Sequence, residues 1–233
     1  MRHLCAAAAA AVLAAMPATA QAECSRAGFP ANAPRAATVQ GGAARTWFVR
    51  DGGYGVGCPD ASAACRTQSY VTPGDVVLLG AEAGPYVCAA FTGPRGRTTA
   101  GWLPAAALSP LPERPVSVGG WTGAWVGDEQ EVTITQPRPG VLGIEGYATW
   151  GGRDPACVRR GGVNVGEIMA EVQPVGDALS FTMGTDRTLP FEAGDGTGCK
   201  VRMLRRGPYL VVESNSACGG MNVTFSGAYR RRG

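Results

Sequence analysis

Val141-Leu-Gly-Ile-Glu-Gly-Tyr-Ala-Thr-Trp150 places Leu142, Ile144, Gly146, Ala148 and Trp150 on one face and Gly143, Glu145 and Tyr147 on the other. Alternation with period two is the mark of a strand that buries one face. The pattern recurs on both sides. Residues 131–135 alternate, and 167–172 gather Ile168, Ala170 and Val172. Leu179, Phe181 and Met183 follow, then Leu189 with Phe191, then Val201 with Met203. Residues 209–213 and 221–229 end the series, the last aligning Val223, Phe225, Gly227 and Tyr229. Turns rich in Gly or Pro separate these segments. Roughly seven or eight short strands over 121–233 predict an antiparallel meander closed into a barrel, which removes exposed edges.

Composition agrees with an all-β class. The chain has 233 residues with 35 Gly and 17 Pro, which penalise long helices, while 45% hydrophobic content is enough to build a core. Very little helix is expected. Upstream, residues 109–120 carry Pro110, Pro112, Pro115, Gly119 and Gly120 without periodicity, so 112–120 reads as an extended linker. Residues 65–111 form a second β module, with apolar strands at 76–79 and 85–91. Residues 23–64 are rich in Ala, Gly and Arg. Only Thr46–Val49 looks like a strand there, and the segment is expected to be loosely structured and tied down by its cysteines.

Pro73-Gly-Asp75 before an apolar strand, with Gly101-Trp-Leu-Pro104 and a short turn to Leu108, resembles a bacterial SH3-like domain over 65–111. In exported proteins that likeness implies cell-wall binding or a spacer role. It makes Tyr70, Tyr86, Phe91 and Trp102 candidates for an aromatic groove, with core filling as the alternative; Trp102 is the surface candidate. Trp121-Thr-Gly-Ala-Trp125, followed by a strand and Gly143-Ile-Glu-Gly-Tyr147, resembles the opening of avidin-like and other calycin barrels. There a Gly-x-Trp plugs one end under an Arg near the last strand, parts that Gly123-Ala-Trp125 and Arg230 could take. The segment 199–230 resembles the tail of small exported proteins of lysozyme-inhibitor type.

Residues 1–22 have the plan of a secretory signal peptide: Arg2, an apolar stretch from Leu4 to Met16, and small residues ending at Ala20 or Ala22. The stretch is short for a spanning helix, and no later run is long and apolar enough, so the mature form is expected to have no membrane span. Cleavage takes Arg2 away, leaving 20 Lys and Arg against 18 Asp and Glu. That balance does not argue for nucleic acid. Cleavage also removes His3, the single histidine. Without it no Ser-His-Asp or Cys-His nucleophile and no His-bearing zinc site can be built. Asp128, Glu129 and Glu131 read as a solvated turn rather than a catalytic pair. No phosphate-binding glycine loop occurs. A non-enzyme without catalytic residues, metal or cofactor is expected.

Seven cysteines remain after the signal, and they read as disulfides of an oxidising compartment, periplasmic or secreted. Cys199 and Cys218 flank a hairpin. Cys65 and Cys88 flank the 76–79 strand, leaving Cys24 with Cys58. Cys157 is then odd: a buried free thiol, a bridge between molecules, or a sign of different pairing.

These readings predict an exported binding protein that engages peptidoglycan or another envelope component. One alternative is an inhibitor of a lysozyme or protease that presents Ser214, Asn215 and Ser216 beside Cys218. Another is a small-ligand barrel whose open cavity is lined by Trp125, Tyr147 and Trp150.

Overall fold

The computed structural model describes residues 23–25, 29, 34–52, 57–185, 187–193 and 197–233; the expected signal segment 1–22 lies outside them. Among the described residues the chain is built from two antiparallel sheets and two short helices.

The first sheet comprises β1 (Arg35–Val39), β2 (Thr46–Val49), β3 (Arg66–Val71), β4 (Val76–Ala83), β5 (Tyr86–Thr92), β6 (Thr98–Pro104) and β7 (Leu108–Pro110), in the order β3-β2-β6-β5-β4-β1-β7. Residues 35–49 are therefore not a loose tether. β1 lies between β4 and β7, and β2 between β3 and β6. The sequence hides this because 35–49 is short on large apolar residues: β1 buries Ala36 and Ala37, whose small side chains suffice where strands crowd. One face of the sheet curls round Ala37, Val39, Phe48, Val71, Val77, Leu79, Val87, Ala89, Leu103 and Leu108, drawn from all seven strands.

After residues 112–117, which have no regular structure, comes α1 (Val118–Trp121), then β8 (Gly123–Val126), β9 (Gln130–Arg138) and β10 (Val141–Trp150). Next are α2 (Pro155–Arg159), β11 (Asn164–Val172), β12 (Ala178–Met183), β13 (Thr188–Leu189), β14 (Cys199–Arg206), β15 (Tyr209–Ser214) and β16 (Gly227–Arg231). These nine strands run in the order β11-β10-β9-β8-β16-β15-β14-β12-β13 and curl into a near-closed barrel. Leu142, Ile144 and Ala148 point inward as their alternation predicts, and Trp150 reaches the rim. The seam between β11 and β12–β13 is joined by side chains. The Glu171 amide donates to Thr188 Oγ1 (2.9 Å) and the Met169 amide to Met183 Sδ (3.3 Å).

The two sheets share a core. The outer row of the first, Ala36, Leu78, Ala90, Cys88 and Trp102, meets Tyr209, Val211 and Ala228 on the outside of β15 and β16. The Tyr209 hydroxyl donates to the Val76 carbonyl, and Arg206 Nε to the Pro34 carbonyl at 3.0 Å. At Gly96 (φ +78°) a Cβ would lie 2.1 Å from the Gly127 carbonyl oxygen, so that turn and the second sheet approach closely only because the position is glycine. β5 is thus buried on both faces, as its unbroken run Tyr86-Val-Cys-Ala-Ala-Phe-Thr suits.

Three disulfides join Cys24 to Cys88, Cys58 to Cys65, and Cys199 to Cys218; Cys157 is free and half-buried. Only the third follows the pairing expected from neighbourhood in sequence. Cys65–Cys88 and Cys24–Cys58 do not form. β5 presents Cys88 to the outer face, where the incoming chain lays Cys24 over Trp102, and Cys65 closes a short loop with Cys58. The three bridges point to an oxidising, extracytoplasmic environment. No helix among the described residues is long and apolar enough to cross a membrane.

Tyr229 is fully buried and its hydroxyl donates to the Phe225 carbonyl at 2.6 Å. Burial pushes this phenol well above its ordinary value of 10.0, so the folded state holds a proton that the unfolded chain releases. Its contribution to stability is complete below about pH 10 and falls by about 1.4 kcal/mol per pH unit above it. Tyr209 shifts the same way, and Arg205, lowered to about 10, contributes with opposite sign. Both cancel when wild type is compared with Tyr229→Phe. Denaturant titrations from pH 9 to 11.5 should show the stability gap between the two proteins closing by that slope. A constant gap would contradict the assignment.

Candidate functional site

The structure brings few of the sequence candidates together. Trp102 is 1% exposed, with its indole N–H donated to Asp51 Oδ1. The same carboxylate accepts from the Cys24 amide at 3.0 Å, so Asp51 staples the Cys24 segment over the indole. Trp102 is a core residue, and the groove expected around it is filled. Tyr86 is buried in the same shared core, and Phe91 is half-buried against the interior of the first sheet.

Among the described residues the barrel shows no open mouth lined by Trp125, Tyr147 and Trp150. Trp125 closes one end, buried, with its indole N–H donated to the Trp121 carbonyl at 2.9 Å. Over its ring lie the guanidiniums of Arg205 (4.2 Å) and Arg231 (5.2 Å). Arg230, expected there, stacks instead on Tyr209 at 5.1 Å, because alternation along β16 sends it to the outer face. The opposite end is plugged by the β15–β16 connection. Cys218, Val223 and Phe225 enter the core, the Gly220 amide donates to the Val165 carbonyl (3.0 Å), and Asn164 Nδ2 to the Met221 carbonyl (2.7 Å). A Cβ at Gly166 would lie 2.4 Å from the Cys218 carbonyl oxygen, so the plug seats on a bare backbone. Tyr147 lies on the outer surface.

The plug also accounts for the expected inhibitory loop. Asn215 Oδ1 accepts from the Lys200 amide (3.0 Å), and Asn215 Nδ2 donates to the Gly198 carbonyl (2.8 Å). Ser214 Oγ accepts from the Phe225 amide (3.0 Å). These groups face the protein, and of the three expected residues Ser216 alone is exposed. Asp128, Glu129 and Glu131 serve the turn. Asp128 pairs with Arg153 and Glu131 with Arg232, while Glu129 Oε2 accepts from Thr149 Oγ1 (3.0 Å) and the Gly152 amide (3.1 Å).

One candidate stands at the surface with a formed neighbourhood. Tyr70, 41% exposed on β3, lies directly opposite Trp47 on β2, and their rings meet edge to face with centroids 5.0 Å apart. Arg45 stacks over Tyr70 at 4.5 Å and lies 5.9 Å from the Trp47 ring; Arg66 stacks on Trp47 at 5.3 Å. Each part has a local cause. Alternation along β2 turns Phe48 into the core and Trp47 out. The Cys58–Cys65 disulfide ends where β3 begins, and the Arg50 amide donates to the Cys65 carbonyl (2.9 Å), fixing the backbone that carries Arg66.

No family model, curated protein or solved structure matches this chain. Sequence reasoning named Tyr70 and missed Arg45, Trp47 and Arg66. The strand at 46–49 was legible, but the pairing of Trp47 with Tyr70 joins residues across a long loop, and no local pattern encodes it.

Proposed function

We propose that this chain is an exported, non-enzymatic binding protein that engages peptidoglycan or another polymer of the cell envelope through the Trp47–Tyr70 face. The observation that carries the reading is an aromatic pair at the surface, exposed Tyr70 and half-buried Trp47, held by strand pairing and flanked by two stacked guanidiniums. Pyranose rings present C–H faces that pack on aromatic rings, and a rigid platform loses little entropy on binding. Three disulfides and the signal-like residues 1–22 support a periplasmic or secreted location. The likeness of 65–111 to wall-associated SH3-like domains supports the same partner class, with the contact surface moved from Trp102 to Trp47 and Tyr70. The absence of histidine from the mature chain and the tied carboxylates of the 128–131 turn support a non-catalytic role.

Mature protein incubated with purified sacculi should co-sediment saturably. Loss of one stacking ring is worth about 1–3 kcal/mol on aromatic platforms, so Trp47→Ala or Tyr70→Ala should weaken sedimentation by about tenfold or more. The thermal midpoint should move little, because both rings are partly exposed. Sedimentation that is absent, or undiminished in both variants, contradicts the proposal.

A further inference from the structure

Arg45 and Arg66 are not among the arginines that carboxylates hold. Arg35, Arg138, Arg153, Arg202, Arg206 and Arg232 meet the carboxylates of Glu82, Glu171, Asp128, Glu192, Asp177 and Glu131 respectively. Arg45 and Arg66 are exposed and form no ion pair among the described residues; their guanidiniums rest on the rings beneath them. A guanidinium whose face rests on an aromatic ring keeps its N–H edge free, and that planar edge matches the two oxygens of a carboxylate. Stacking also orders the side chain in advance, so less rotamer freedom is lost when the anion arrives. A neutral sugar would use the rings and leave both charges idle.

We infer that this face selects carboxylate-bearing glycan chains, with Arg45 and Arg66 receiving the carboxylates while Trp47 and Tyr70 receive the sugar rings. The inference rests on the reading of the Trp47–Tyr70 face as the binding surface and adds the ligand's chemical class. Two cations, 5.9 and 5.3 Å from the same indole centroid, suit a polymer that repeats its acidic group better than a single anion. The carboxylates can belong to wall stem peptides or to uronic acid residues, the chemistry being shared. Polymers of acyclic polyol phosphates offer the cations their charge but give the rings no sugar face. Single-stranded nucleic acid offers both stacking and charge, and is kept as an adverse outcome of the test.

The test uses full-length mature protein with four probes: native sacculi, sacculi with carboxylates converted to amides, oligogalacturonate, and neutral chitin oligosaccharides. The variants are Arg45→Gln with Arg66→Gln, and Arg45→Lys with Arg66→Lys. Wild type should bind native sacculi and oligogalacturonate about tenfold or more tightly than the amidated or neutral probes, and the advantage should shrink with added salt. The double Gln variant should bind native and amidated sacculi alike, while the double Lys variant keeps part of the preference. Both side chains are exposed, so an unchanged thermal midpoint checks that the fold is intact.

Wild type that binds native and amidated sacculi equally overturns the inference and leaves the wall reading standing. A double Gln variant that keeps the full preference overturns it in the same way. Binding to oligogalacturonate that depends on the arginines, without binding to sacculi, removes the wall reading and upholds the carboxylate assignment. A single-stranded oligonucleotide that binds more tightly than oligogalacturonate overturns the assignment.

Discussion

Serine substitution of both Cys24 and Cys88 is expected to lower unfolding free energy by about 4 kcal/mol, against about 2 kcal/mol for the Cys58, Cys65 pair, by the loop-entropy relation. The difference follows from sequence separations of 64 and 7 residues. The Cys24–Cys88 bridge also carries the cover of the shared core: its backbone amide at Cys24 bonds to Asp51, and Asp51 bonds to the indole of Trp102. Urea denaturation of the two double mutants gives the comparison directly. Equal losses, or a larger loss from the short loop, would contradict the pairing. Mass analysis of peptides from unreduced digests should find Cys24 with Cys88 and no Cys65–Cys88 species.

Trp102→Ala is the second large effect, expected to cost about 3–5 kcal/mol, the range for emptying a buried aromatic site. The indole is 1% exposed, lies opposite Val49 and Cys88 in the strand register, and belongs to the core shared with Tyr209, Val211 and Ala228. Truncation leaves a cavity where the two sheets meet and strips the Asp51 carboxylate of one donor. Calorimetry should show a large drop in thermal midpoint, while binding of the still-folded fraction to sacculi stays near wild type. The reverse outcome, normal stability with lost binding, would return Trp102 to the surface role its sequence context suggested. Trp102→Ala and the Cys24, Cys88 double substitution share contacts through Asp51, so their costs should not add.

The barrel was legible because alternation is local. Leu142, Ile144, Ala148, Ile168, Ala170, Phe181 and Val201 could be assigned to the interior from spacing, and all of them are buried. The same alternation overreached at 221–226. Val223 and Phe225 do point inward, but as a plug over the barrel end, and the last strand starts at Gly227. Spacing reports which side chains are buried; whether the backbone between them pairs with a neighbour depends on what the neighbouring strands leave open. β8 escaped notice for a related reason. Gly123–Val126 is too short to show a period, and its partners β9 and β16 give it its extended form.

Class, compartment and the alternating interior of the second sheet can be read along the chain, since each depends on composition or on residues a few positions apart. Glycine and proline content disfavours long helices, and odd and even residues of a strand must face opposite ways. The disulfide partners of Cys24 and Cys88, the burial of Trp102, the placing of Arg205 and Arg231 over Trp125, and the meeting of Trp47 with Tyr70 are of another kind. Each joins residues distant in sequence or depends on how two sheets meet. Either aromatic could have faced core or solvent on its local pattern alone. Trp102 lies inside because a second sheet and the Cys24 segment cover its face, whereas Tyr70 projects from the side of β3 opposite buried Val71, where it meets Trp47 and Arg45 and stays 41% exposed.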